Sequence, residues 1–261
     1  MSDGPKILIA DIENAPIMAD VWSLWKQNVA LNQINSDWFI LSYSAKWLGD
    51  DHIYSDWLPR HKADYAADPE CDFQILVTLR ELLNEADIVI GHNSQAFDVP
   101  KINTRMLLND IEPPSPFQQV DTLKIAKQVF RFTSNKLQYI AQALGLGVKM
   151  DTGGHELWTA CIKGDKAAWK KMVEYNEHDV VLTEQVYQAL APWSKSHPNH
   201  ALYSEAEAPC CTVCGSANLR PDGFAYTNMG KFQRYQCNAC GKYVRGRKNT
   251  ADLSMMTTNV I

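Results

Sequence analysis

No stretch of the 261-residue chain approaches the ~18 uninterrupted apolar residues that a membrane-spanning helix needs, so a bilayer protein is not expected. The first residues, MSDGPK, lack the basic-then-apolar order of a secretory signal, and a cytoplasmic location is the expectation. There is no internal repeat and no low-complexity tract. Disulfide-forming cysteine is also lacking. The count is seven, which is odd, and Cys210, Cys211, Cys214, Cys237 and Cys240 crowd into the last quarter. A general excess of positive charge is missing too: the formal net charge is −5, which argues against a uniformly basic nucleic-acid binder. That sum hides an asymmetry, because residues 209–248 are basic and the remainder is acidic. What remains is a globular chain, 46% hydrophobic, with enough apolar content for a real core.

The chain is organised around residues 6–13, KILIADIE. This short β-branched run, stopped by Asn14-Ala15-Pro16, predicts a buried strand. Alternation puts Asp11 and Glu13 on one side of it. The two acids can be strand-end residues reaching water, or a carboxylate pair held together by a divalent metal, since paired desolvated carboxylates repel unless a cation lies between them. Residues 19–33 show no clean period and predict a loop with some helix that could line a substrate cleft. A hairpin is predicted over 38–47 and 52–57, around Gly49-Asp50-Asp51. A polar connection follows to residue 72, then a helix over 73–85 and a buried strand over 87–91. Asp98 lies between that strand and a helix with Pro100 in its first turn. A strand over 118–121, helices over 122–130 and 136–144, a glycine-containing loop over 147–155 and helices over 156–162 and 166–190 complete the pattern. This order predicts an α/β domain with a mixed sheet.

Tyr175 and Asp179 lie four apart on the last helix and share one face. By themselves they could be a hydrogen-bonded surface pair. Together, Asp11 and Glu13 at a strand end, Asn93, Phe97 and Asp98 after a second strand, and Tyr175 and Asp179 on a late helix resemble the DEDD superfamily of 3′–5′ exonucleases, which has an RNase H-like fold. The resemblance covers roughly the first 190 residues. The tyrosine spacing looks like the DEDDy branch, which includes the proofreading exonuclease domains of DNA polymerases. The histidine branch would want its histidine where Glu174 stands. The resemblance implies a hydrolase that shortens nucleic acid from the 3′ end with two Mg²⁺ or Mn²⁺ ions. Asp11 would bridge the ions, Glu13 and Asp179 would complete the site of the nucleophilic water, Asp98 would serve the second ion and Tyr175 would orient the water. Asn93 would contact the substrate or hold its loop, and Phe97 would wedge against a terminal base or join the core. His178, adjacent to Asp179 but off its face, is a substrate contact or a structural residue. Asp121 is read first as a helix N-cap. Single-stranded or frayed DNA is the implied substrate, with RNA as the alternative, and a replication or repair protein is an implied partner. The rival from another class is a nucleic-acid-binding protein that keeps the fold without cutting.

Cys211 with Cys214, and Cys237 with Cys240, form two C-x-x-C pairs, followed by Gly215 and Gly241. Paired knuckles of this kind in a cytosolic context predict one structural Zn²⁺. Cys210 competes with Cys211, and the spacing to Cys214 favours Cys211. Cys71 and Cys161 read as ordinary thiols. Strands are predicted over 223–226 and 232–236, around Asn228-Met229-Gly230, so the module resembles a zinc ribbon. Arg220, Lys231, Arg234, Lys242, Arg245, Arg247 and Lys248 face a single acid, Asp222, and aromatic residues interleave with them. That excess predicts nucleic-acid contact, with docking to an acidic protein surface as the alternative. The expected organisation is an RNase H-like domain over 1–192, a linker over 193–208, the ribbon over 209–248 and a tail over 249–261.

Overall fold

The structure, a computed structural model, describes residues 4–26, 28–148, 150, 152–203, 205, 208–228, 230–252, 254 and 257. The chain divides into two compact units, one formed by Lys6–Tyr187 and the other by the chain from Gln188 onward with the first few residues.

The first unit is built on a five-stranded mixed sheet. Its opening strand β1 (Ile7–Asn14) is followed by a small two-stranded pairing of β2 (Met18–Ala19) and β3 (Ile34–Ser36). The predicted hairpin is β4 (Ile40–Trp47) and β5 (Tyr54–Trp57), which pair antiparallel with Ala45 opposite Tyr54. Next come α1 (Lys62–Ala67), α2 (Phe73–Glu85), β6 (Ile88–Gly91), α3 (Asp98–Leu108), β7 (Gln118–Asp121), α4 (Thr122–Val129), α5 (Leu137–Ala143), α6 (His155–Ile162) and α7 (Lys166–Leu190). The strand order is β5-β4-β1-β6-β7, with β1 antiparallel to β4 and parallel to β6. Strands therefore reach β1 from a hairpin on one side and from helical crossovers on the other.

Burial follows the sequence pattern. Leu8 and Ile9 of β1, Ile40 and Leu41 of β4, and Ile88 and Ile90 of β6 are fully enclosed. Helix α2 buries Ile75, Leu76, Leu79, Leu82 and Leu83, the spacing of one helix face. Each such side chain contributes roughly 1.5–3 kcal/mol on burial. A polar clamp sits inside this core. The fully buried Asp72 accepts from Arg105 Nε at 2.7 Å and Nη2 at 2.8 Å, and from the backbone N–H of Ile40 at 2.9 Å. It ties α3 to the start of β4 with a two-pronged, charge-assisted contact.

Two expectations differ in the first unit. The polar connection after β5 contains α1, because Lys62, Ala63, Ala66 and Ala67 are good helix formers and Pro69 lies beyond its end. Among the described residues, 19–33 hold the last residue of β2, irregular backbone and, in place of an α-helix, a 3₁₀ turn at Leu31–Gln33.

The second unit contains a three-stranded antiparallel sheet, β8 (Leu219–Thr227), β9 (Gly230–Cys237) and β10 (Tyr243–Asn249), in the order β10-β9-β8. The sequence predicts two strands. The third comes from residues 243–249, where alternation is carried by small and charged residues and the apolar signal is weak. Met229 of the predicted turn lies outside the described residues. Among the described residues at the expected linker there are 3₁₀ turns at Ala191–Trp193 and His200–Tyr203, and Ser194 and His200 are buried. The backbone N–H of His200 donates to Thr212 O at 2.9 Å, and Lys242 Nζ donates to the Ser194 carbonyl. Of the expected tail, Asn249 closes β10, and residues 253, 255, 256 and 258–261 lie outside the described residues. No helix among the described residues is long and apolar enough to cross a membrane.

Candidate functional site

Strand β1 runs past its parallel neighbour. Its pairing with β6 ends at Ile9 opposite Ile90, whereas its pairing with β4 continues to Asn14. The edge left open beyond Ile9 is where the carboxylates gather. Asp98, in the first turn of α3, accepts from the backbone N–H of Ile12 at 3.4 Å. That places its carboxyl beside the segment that bears Asp11 and Glu13. Gly91 makes the close approach feasible. A Cβ there would lie 2.5 Å from Ser94 Cβ and 3.3 Å from Ala10 O, so any side chain would push the loop to α3 off the strand.

On the other side, Asp11 and Glu13 stand opposite Ser44 and Ser42 of β4. These small residues leave room for α7. Asn176 of that helix, fully buried, donates from Nδ2 to Asp11 Oδ2 at 2.7 Å, and its Oδ1 accepts from Ser42 Oγ at 3.4 Å. Trp158 of α6 donates from Nε1 to Glu13 Oε2 at 3.1 Å. Carboxylate oxygens of Asp11, Glu13 and Asp179 all lie within 4.8 Å of one another. Asp98 is not a member of that trio. Its contact is with the β1 backbone at Ile12, and burial, followed by the charge of Asp121, raises its pKa to about 6 against the pull of the Ile12 N–H.

Tyr175 is buried one helical turn before Asp179 and hydrogen-bonded to it. Its ring meets the Trp158 indole edge-on, with centroids 6.0 Å apart. Burial first, then the charges of Asp179, Glu13 and Asp11, drive its phenol pKa well above the ordinary value. The group is a neutral hydrogen-bond donor throughout the neutral range.

The remaining expected residues fall around this centre. Asn93 has a left-handed backbone, φ +72°, and lines a cleft of about 740 Å³ with Asp11 and Asp179. Lys127 and Lys136 stand on the wall of the same cleft. Phe97 is exposed just before Asp98, with Lys101 Nζ 5.0 Å from its ring centroid. His178 Nε2 donates to Val148 O at 3.0 Å and is not part of the carboxylate trio. Asp121 is the N-cap of α4: it accepts from the N–H groups of Leu123 and Lys124, and also from Asn93 at 2.9 Å and Gln95 at 3.3 Å. Four donors engage this carboxylate, so it serves as a loop anchor.

Sequence reasoning missed Asn176 and Trp158. Asn176 was legible in one respect: a polar amide beside Tyr175 on the buried face of a long helix needs a partner. Trp158 gives no such signal.

In the second unit the sulfurs of Cys211, Cys214, Cys237 and Cys240 form one group within 4.8 Å, and Cys210 is not among them. The separations Cys211–Cys240 and Cys214–Cys237 are both 3.6 Å. A tetrahedron of thiolates around Zn²⁺ has an edge of about 3.8 Å, from a Zn–S bond of about 2.3 Å, so the spacing fits that ion and not a disulfide. Gly215 and Gly241 have φ of +72° and +80° and donate their N–H groups back to Cys211 O and Cys237 O, the tight turn that a knuckle needs. Burial opposes ionisation of Cys237, but the amides of Cys240 and Ala239 aim at its sulfur and bring its pKa down to about 7. Burial raises Cys240 to about 11. Four thiols this close cannot all ionise without a cation among them. On the sheet, Lys231 lies 3.9 Å over the Phe224 ring and Arg245 lies 4.2 Å over Phe232.

Three comparisons bear on this architecture. No curated protein matches the chain. The family B DNA polymerase from the hyperthermophilic archaeon Pyrobaculum calidifontis is similar in fold, with a TM-score of 0.54 at 15% identity, over 72% of this chain and 25% of that polymerase. The chain thus corresponds to a quarter of the polymerase's length. A family model described as the RNase H superfamily matches residues 54–191, which include Asp98, Tyr175 and Asp179 and begin after Asp11 and Glu13. The match spans more than half of the sequence, from β5 to the end of α7, and this chain belongs to the RNase H superfamily.

Proposed function

We propose that this protein is a metal-dependent 3′–5′ exonuclease of the DEDDy type, acting on single-stranded or frayed DNA. The observation that carries the reading is the convergence of Asp11, Glu13 and Asp179 within 4.8 Å, beside Asp98 and with Tyr175 on the same helix face. A nuclease of this superfamily needs an acidic centre that would be unstable without cations, and this one has it.

The donor set is all carboxylate oxygen, which suits Mg²⁺ or Mn²⁺. Asp11, Glu13 and Asp179 would hold one ion, and Asp11 with Asp98 the other. Such ions neutralise charge at the phosphate and the leaving 3′-oxygen and ease deprotonation of the attacking water. The chain's own residues do the positioning. Asn176 fixes the Asp11 carboxylate through one oxygen. Trp158 does the same for Glu13. Tyr175, kept protonated, would hydrogen-bond the attacking water and orient it without taking its proton. Asn93, Lys127 and Lys136 line the cleft where the substrate phosphates would lie, and the exposed Phe97 would wedge against the terminal base. His178 is a structural residue tied to Val148.

The four-cysteine unit is a zinc ribbon in this reading, with Cys211, Cys214, Cys237 and Cys240 as ligands. Its basic strands would bind nucleic acid and, being tethered to the catalytic unit, raise the local substrate concentration without taking part in the chemistry. We retain two functional domains, with the catalytic part ending near residue 192 and the ribbon within 209–248.

The test is degradation of labelled single-stranded DNA and RNA with Mg²⁺, with Mn²⁺ and with chelator. Cation-dependent shortening of DNA supports the reading, shortening of RNA alone reassigns the substrate, and cation-dependent binding without cleavage leaves a nucleic-acid-binding protein.

A further inference from the structure

The connection from β1 to β4 carries the largest apolar exposure among the described residues. Trp22 is 96% exposed, and Leu31, Leu24 and Trp25 are all more than four-fifths exposed. Such residues in one continuous segment call for a partner. The place where the segment is rooted indicates which one. Its two legs leave the sheet directly from the paired ends of β1 and β4, with Asn14 opposite Ile40 and Ala15 N donating to Phe39 O at 2.8 Å. They remain joined further out by the β2–β3 pairing, and Gln33 then ties them again, donating from Nε2 to Asp20 O at 2.8 Å while its backbone carbonyl accepts from the Asp20 N–H. The segment is therefore an arm rooted one residue beyond Glu13, at the carboxylate end of the sheet.

An aromatic and cationic trail runs from the acids to that root. Lys101 sits one turn after Asp98 on α3, and its Nζ lies 3.6 Å over the ring of Trp38, on the returning leg. We propose that the arm is a stacking platform for the single-stranded part of the substrate, with bases laid on Trp22 and Trp25 and the strand guided past Trp38 and Lys101 to the carboxylates. This inference rests on the exonuclease reading and names the form of nucleic acid that the same site selects. The chemistry favours it over a second protein in two respects. Two of the four most exposed apolar side chains are indoles, whose faces suit any unstacked base. The arm itself is almost uncharged, with Asp20, Lys26 and Asp37 as its ionisable residues, so it can hold a strand where an acidic centre would repel bare phosphate. Bases inside a duplex already stack on each other, so the platform discriminates against paired ends.

The test uses the full chain carrying Asp11→Asn, so that binding is read without turnover. Affinity for a single-stranded thymidine oligonucleotide is measured in high salt, where phosphate contacts are screened. Trp22→Ala and Trp25→Ala should each weaken it at least about fivefold, the low end of what one base–aromatic stack contributes. Trp22→Phe with Trp25→Phe should retain most of it, and Leu24→Ala with Leu31→Ala should leave it unchanged. Blunt duplex should show no dependence on the indoles. Both tryptophans are exposed, so the variants should fold, and the unfolding midpoint checks this. Unchanged affinity in the Trp→Ala variants overturns the proposal. So does an equal loss in the leucine variant, or concentration-dependent self-association that the Trp→Ala changes abolish, which would make the arm a protein interface. Cleavage by the otherwise wild-type chain is followed on the same oligonucleotide. Normal cleavage with unaltered affinity sinks the arm alone, whereas neither cleavage nor binding sinks the exonuclease reading with it.

Discussion

Asn176 donates its side-chain amide to the Asp11 carboxylate across 2.7 Å, joining residues 165 positions apart in the chain. The contact locks the helix that bears Tyr175 and Asp179 to the strand that bears Asp11 and Glu13.

Asn176→Ala removes a buried N–H donor to Asp11 Oδ2. Breaking a buried hydrogen bond to a charged group costs about 1–3 kcal/mol. Denaturant unfolding should show that loss, and single-turnover cleavage should slow because Asp11 is free to rotate. A variant with wild-type stability and rate contradicts the positioning role.

Tyr175→Phe keeps the ring against Trp158 and removes the hydroxyl bonded to Asp179. If the phenol orients water, the chemical step should fall by roughly 10–1000-fold, a range around the usual acid–base contribution, with oligonucleotide affinity little changed. An unaltered single-turnover rate would make Tyr175 a packing residue and remove the DEDDy assignment.

The strands and acids of this site were legible because each rests on a local signal. β1 is short, β-branched and stopped by Pro16, and the acids follow its alternation. Tyr175 and Asp179 share a helix face by their spacing alone. The supports were not legible, since Trp158 and Glu13 meet across 145 positions and nothing near either residue records the contact. β10 was hidden because its alternating pattern is written in charged residues. The segment around His200 looked like a linker from its prolines and polarity. In the structure the His200 backbone N–H donates to Thr212 O, and burial, with His197 alongside, lowers the His200 pKa to about 4 and keeps the ring neutral.

Asp98 sets a pH dependence. Its folded pKa, about 6, lies above the ordinary carboxylate value near 3.9. Between those values the folded chain binds more protons than the unfolded one, so without metal this group lowers stability as pH rises through that window, with no further effect above it. Divalent cations bind the ionised form. The Mg²⁺-induced rise in Tm should therefore grow as pH increases toward about 6 and then level off. Asp98→Asn should flatten both trends. Identical pH profiles for the two proteins, with and without Mg²⁺, would remove Asp98 from the metal site.

Cys237→Ser removes one of four sulfurs from a unit with little core of its own. Zinc content should fall from a single ion per chain to near none, and the ribbon should lose much of its folding free energy. Nucleic-acid affinity should weaken and its dependence on salt should flatten, while turnover at saturating substrate changes little. Zinc analysis, affinity across a salt series and single-turnover rates on the same preparation check each part. Unchanged affinity and salt slope after zinc is lost would turn the basic strands toward an acidic protein partner.

The most direct measurement is a single-turnover time course on a 5′-labelled single-stranded DNA with Mg²⁺, comparing wild type with Asp11→Asn. The account predicts a ladder shortening one nucleotide at a time from the 3′ end for wild type, and no ladder for Asp11→Asn, whose fold and thermal transition in the absence of Mg²⁺ are intact. A ladder of equal rate in Asp11→Asn, or wild-type products that arise by internal cuts, would contradict it.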